Sequence, residues 1–98
     1  MTMKPDSGPT FVRNDDASRY ELYVSGELAS LADYRRSGDT LVMHHTETRD
    51  MFRGRGLAAE LVRKALDDVR DQKLHVVPSC WFVADFIEAN PEYGDLVA

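Results

Sequence analysis

Apolar and polar positions alternate along the first half of the chain and recur at three- and four-residue steps along the second. Between Arg19 and Val24, Tyr20, Leu22 and Val24 fall on one side and Arg19, Glu21 and Tyr23 on the other. That two-residue period predicts a strand with one buried face. Ser25-Gly26 is hairpin-turn chemistry, Glu27 to Arg36 is the partner strand, Ser37-Gly38-Asp39 a second turn, and Thr40 to Glu47 a third strand. Ahead of them, Thr10 to Arg13 reads as a short strand that enters the turn Asn14-Asp15-Asp16. From Leu57 the period changes. Leu57, Ala58, Leu61, Val62, Ala65, Leu66 and Val69 alternate with a charged face, which predicts an amphipathic helix ending near Gln72. Leu74 to Val77 reads as a short apolar strand closed by Pro78. Trp81 to Ala89 reads as a second helix that offers Trp81, Phe82, Val83, Phe86 and Ile87 to the core and is stopped by Pro91. The fold class is α/β (α+β): an antiparallel meander, then helix, strand, helix. Residues 1–9, with two prolines, a glycine and a serine, are expected to form a flexible tail, and residues 10–98 a single domain.

Composition narrows the class. Hydrophobic residues make up 43% of the 98 residues, which excludes a chain disordered throughout, and a single cysteine excludes a disulfide scaffold. No apolar run approaches the roughly 20 residues of a membrane span, and the first residues lack a signal-peptide pattern. A cytoplasmic protein with no membrane association, monomeric or weakly dimeric, is expected. The net charge of −5 argues against nucleic acid as a partner. The charge is uneven, however. Arg49 to Lys73 holds seven basic and five acidic side chains, so this segment carries +2 and the remainder −7. A locally basic segment in an acidic chain suits a small anionic ligand.

The chemistry concentrates at Arg53-Gly54-Arg55-Gly56-Leu57-Ala58, between a strand and the longer helix. The first turn of a helix has unpaired N–H groups and a dipole that favours negative charge, and glycine lets a ligand approach the backbone closely. Arg53 and Arg55 add charged donors. These features make a phosphate cradle, or else a turn that glycine merely permits. The dinucleotide pattern G-x-G-x-x-A also fits Gly54 to Ala59, but it requires an acid about 20 residues on, and Leu74 to Val77 has none. No P-loop sequence is present.

Arg53-x-x-Gly56-x-Ala58 resembles the pyrophosphate-binding motif of the GNAT acetyltransferase superfamily, Q/R-x-x-G-x-G/A. His45-Thr46-Glu47, Pro78-Ser79-Cys80-Trp81-Phe82-Val83 and Pro91-Glu92-Tyr93 resemble, in order and spacing, blocks of its short single-domain branch. Thr48 stands where that branch commonly has valine, and Asn90 where it has histidine. The resemblance covers about residues 19 to 97. It implies a reduced GNAT-like fold, a mixed and mostly antiparallel sheet with two main helices and central strands that splay apart. It further implies that acetyl-CoA lies in the splay and that an acetyl group moves to an amine, either a small amine or a protein lysine. Arg53, Gly54, Arg55, Gly56, Leu57 and Ala58 would hold the pyrophosphate. The main chain of Thr46, Glu47 and Thr48 would pair with the pantetheine arm, and Cys80 and Phe82 would line the thioester end. A domain that binds acetyl-CoA without transferring the acetyl group is the alternative.

Acetylation needs a neutral amine, and a lysine-type amine with pKa about 10.4 is mostly charged at neutral pH. A base therefore helps. His45 and Glu47 lie two apart on one strand and so share a face, and either is a candidate catalytic base, against the reading that both are merely packed or solvated. Cys80 stands at the start of the second helix, where a thiol is activated. It could line the site, carry the acetyl group covalently, or simply pack. Adjacent strand residues point to opposite faces, so His44-His45 cannot readily chelate one ion, and no metal is expected.

Overall fold

The computed structural model describes residues 8–98. Most of the expected tail lies outside them. Four strands, β1 (Thr10–Asn14), β2 (Arg19–Val24), β3 (Glu27–Ser37) and β4 (Thr40–Thr48), are followed by a short 3-10 turn at Asp50–Phe52 and helix α1 (Leu57–Asp71). Strand β5 (His75–Pro78), helix α2 (Trp81–Ala89) and a closing 3-10 turn (Pro91–Leu96) complete the order. The sheet order is β1-β2-β3-β4-β5; the first four strands are antiparallel, and β5 is parallel to β4. The parallel pair requires a crossover, which α1 supplies. The fold is thus the antiparallel meander followed by helix, strand and helix that the residue pattern predicts, closed into the mixed, mostly antiparallel sheet that the family resemblance implies. Strand boundaries move by at most one residue, and the 3-10 turns are additional.

Turn chemistry explains the meander. Ser25 (φ 51°) and Gly26 (φ 82°) both lie in the left-handed region, the geometry that matches the twist of a two-residue hairpin. Asn14 Oδ1 accepts from the amide of Ala17 at 3.1 Å and so shapes the turn before β2.

Both helices join one buried cluster against one face of the sheet. Tyr20 and Leu22 from β2, Ala32 and Tyr34 from β3, and Leu41 and Met43 from β4 meet Leu61, Val62, Ala65, Leu66 and Val69 of α1 and Val83, Phe86 and Ile87 of α2. Each large aliphatic side chain taken out of water there contributes about 1.5–3 kcal/mol. The closing turn is clamped onto α1: Tyr93 Oη donates to Asp67 at 2.8 Å, and Arg70 holds Asp95 through two bonds of 2.9 and 3.0 Å. The amide of Ala98 then donates to Val76 O on the outer edge of β5.

Two side chains depart from the alternation pattern. Trp81, expected in the core, is 73% exposed because it occupies the first position of α2, on the side away from Val83, Phe86 and Ile87. Glu21, expected on a solvated face, is only 2% exposed. Its carboxylate accepts from Arg19 Nε at 2.6 Å, Tyr23 Oη at 2.9 Å and Asn14 Nδ2 at 3.1 Å. Burial alone would raise its pKa, but these three donors outweigh it and hold the carboxyl below the ordinary glutamate value. A depressed folded pKa means that the stabilisation is present at neutral pH and is lost as pH falls below about 4.3. Glu21→Gln is expected to lose about 1.5–3 kcal/mol in urea denaturation at pH 7, the range for hydrogen bonds to a charged group. Its stability should also vary less between pH 5 and pH 3 than that of the unaltered chain.

Candidate active site

The site is built where β4 outruns its neighbour. β5 pairs with β4 only from Thr40 to Met43, and the amide of Cys80 ends the pairing by donating to Met43 O at 2.9 Å. From His44 to Thr48 the outer edge of β4 has no β5 partner. A bulge falls at the same place: Asp33 pairs with His45 and Tyr34 with Met43, so His44 is skipped. The extra residue inverts the alternation that follows it. Thr46 therefore shares the helix face with Met43, while His45 and Glu47 share the opposite face. His44 and His45 straddle the bulge, so they are not held to opposite faces as adjacent strand residues ordinarily are; among the described residues no group of three or more His, Cys, Asp or Glu side chains is placed to hold a metal ion.

On the helix face, Cys80 is the N-cap residue of α2 and is buried, with Sγ 3.4 Å from Thr46 Oγ1. Burial pushes the thiol up. The Thr46 hydroxyl and the amides of Val83, Phe82 and Thr46 more than offset this, leaving it below the ordinary cysteine value. The cap hydrogen bonds themselves are not closed, so the amides of α2 act on the sulfur at longer range. On the opposite face, His45 Nε2 lies 3.4 Å from Glu47 Oε1, and Arg49 Nη1 pairs with Glu47 Oε2. His45, followed by Arg49, holds Glu47 below the usual carboxylate range, so it is ionised at neutral pH.

The glycine turn lies beyond the end of β4. Gly54 (φ 83°) and Gly56 (φ 73°) are both left-handed, and Gly56 is the N-cap of α1 without a side-chain cap. The first intrahelical bond runs from the amide of Glu60 to Gly56 O, so the amides of the preceding turn have no helical acceptor. A Cβ placed on either glycine would meet no heavy atom within 4 Å. Beside them lies a cavity of about 250 Å³ lined by Thr48, Arg53, Gly54, Gly56, Ala58 and Phe82, among others. Phe52 and Ala59 also line it; sequence reasoning passed over both, although Phe52 directly precedes the motif. Arg53 reaches back to Thr48 O at 3.4 Å and to Asp50 at 3.3 Å, and its side chain is 69% exposed. Arg55 turns elsewhere: its guanidinium stacks over Phe52 at 5.3 Å, and it lines a second cavity of about 350 Å³ beside Gly8, Thr10 and Ser25. Leu57 borders both cavities.

The family model for GCN5-related N-acetyl-transferase matches residues 19–96. The chain belongs to this family. Mouse protein NATD1 is 37% identical over 88 residues, covering 86% of this chain and 79% of the mouse protein. Bovine protein NATD1 is 39% identical over 59 residues, covering 59% of this chain and 52% of that protein. The chain thus spans about half the length of several of the relatives it matches. The solution structure of a GCN5-like candidate N-acetyltransferase from Staphylococcus aureus superposes with a TM-score of 0.71 at 18% identity, covering 95% of this chain and 91% of that one. This likeness establishes the fold. No helix among the described residues is long and apolar enough to cross a membrane.

GCN5-related folds generally use acetyl-CoA. The residues present fit such a group on three counts. Space stands open over Gly54 and Gly56, the first-turn amides of α1 lack acceptors, and the free edge of β4 leads from that turn to Cys80.

Proposed function

We propose that this GCN5-related chain transfers an acetyl group from acetyl-CoA to an amine. When bound, acetyl-CoA supplies the activated acetyl thioester. One observation carries the reading: Thr48, at the end of the unpaired edge of β4, and Phe82 of α2 line one cavity with the glycine turn that opens α1, and the buried Cys80 thiol next to Phe82 lies 3.4 Å from Thr46 on the same edge.

The amides from Gly54 to Ala58 hold the diphosphate, aided by the α1 dipole and by Arg53. Arg55 contributes charge from outside the cavity. The main chain of Thr46 to Thr48 receives the amide arm as an added strand would be received. Cys80 and Phe82 line the far end, where Thr46 fixes the thiol. On the other face, His45 accepts the proton of the incoming amine, and the Glu47 carboxylate, held by Arg49, orients and charge-balances the imidazole.

Coenzyme A titrated into isotope-labelled protein is expected to shift the backbone amide signals of Gly54, Gly56 and Ala58. Release of free coenzyme A with an amine panel then reports turnover. Unmoved glycine signals overturn the reading, and binding without turnover towards any amine reduces it to a carrier-binding domain. Arg53→Ala should weaken coenzyme A binding by about 1–3 kcal/mol, which calorimetry can measure. Cys80 is expected to line the site without carrying the group. Intact-mass spectra after incubation with acetyl-CoA should therefore show no acetyl adduct on Cys80, and Cys80→Ala should keep a measurable share of turnover.

A further inference from the structure

Trp81 is the large side chain of α2 that the fold leaves in solvent. It follows Cys80 directly, is 73% exposed, and meets Phe82 edge-on at a ring separation of 5.8 Å. Phe82 in turn lines the cavity beside the glycine turn. Asp85 and Glu88, both exposed, come four and seven positions later. The three therefore form one stripe about 10 Å long on the outer face of α2. The helix contains no basic residue, and among the described residues neither carboxylate has an ion-pair partner.

An exposed indole in line with two unpaired carboxylates matches a chain that is both cationic and long-stemmed. Ammonium groups pair with the acids, while an aliphatic stem or a cation lies on the ring. We infer that this stripe docks a lysine-rich segment of a protein acceptor, which makes Trp81 a specificity-determining residue; the inference rests on the acetyl transfer proposed above. A peptide suits the surface better than a small free amine. The side chains of His45, Arg49 and Glu47 are 51%, 47% and 40% exposed, so a small amine there would be touched on few sides. Trp81 directly follows Cys80, whose Sγ lies 3.4 Å from Thr46 where β5 leaves β4, so a peptide on the stripe starts beside the open end of β4 and runs along α2.

Trp81 is the single tryptophan of the chain, so its fluorescence reports this position alone. With no donor present, the protein is titrated with a short lysine-rich peptide, with the same peptide acetylated at every lysine, and with cadaverine. A saturable change with the lysine peptide, and none with the other two at equal amine or peptide concentration, supports the inference. The double variant D85N/E88Q should then bind the lysine peptide about two- to tenfold more weakly. Trp81→Ala, followed by calorimetry, should bind it about tenfold more weakly or worse. An unresponsive indole, an equal response to cadaverine, or unaltered binding by the variants overturns the inference. Coenzyme A titration of the Gly54 and Gly56 signals, run on the same samples, separately decides the donor reading.

Discussion

Gly56→Trp is expected to abolish measurable coenzyme A binding while the chain stays folded. Gly56 sits at φ 73°, and a Cβ there points into space that no protein atom occupies within 4 Å. An indole at this position enters the mouth of the 250 Å³ cavity and covers the first-turn amides of α1, so the loss has two parts. The diphosphate loses its donors, and the arm loses its path towards β4. A non-glycine residue in the left-handed region also costs about 1–2 kcal/mol of stability. Gly38→Trp isolates that cost. Gly38 (φ 62°) turns β3 into β4 at the opposite end of the sheet, and its Cβ also meets nothing within 4 Å. Both variants should lose similar stability in urea, but only Gly56→Trp should lose binding. Equal coenzyme A affinity in the two would remove α1 from the donor site.

The contrast between these glycines shows what sequence reasoning can reach. Both turns follow from residue type, because few other side chains tolerate a positive φ. The position of α2 between Trp81 and Ala89 follows from an apolar cluster bracketed by two proline-bearing turns, and the meander follows from strict alternation and hairpin residues. What alternation cannot show is an inserted residue. The bulge at His44 changes no composition, yet it decides that Thr46 faces Cys80 while His45 and Glu47 face away. Glu21 hides its burial for a related reason. A lone glutamate between Tyr20 and Leu22, on the polar side of the alternation, reads as solvated, and only the pairing of β1 with β2 brings Asn14 within reach of it. Arg55 looks equivalent to Arg53 in the chain, but the two arginines flank a left-handed glycine that sends their side chains to different cavities. The ring of Phe52 then retains Arg55. Which segments meet around the candidate site was therefore legible, whereas the division of their side chains between two faces is set by backbone geometry that carries no residue signature.

That division gives the second large effect. His45→Ala is expected to lower kcat for an alkylamine by about a hundredfold at pH 7, the low end for removal of a positioned base, with coenzyme A affinity unchanged. The separation should be clean because His45 lies on the face opposite Cys80 and outside the residues lining the glycine-turn cavity. The deficit should shrink as pH rises towards the amine pKa of about 10.4, because an acceptor that is already neutral needs no base. Glu47→Gln should cost less than His45→Ala. It leaves the imidazole in place and removes only the carboxylate 3.4 Å from Nε2, together with the partner of Arg49. If His45→Ala turns over at the unaltered rate across the whole pH range, the proton leaves by a route that bypasses this face. An effect equal in size at pH 7 and pH 10 would instead assign His45 to positioning the acceptor.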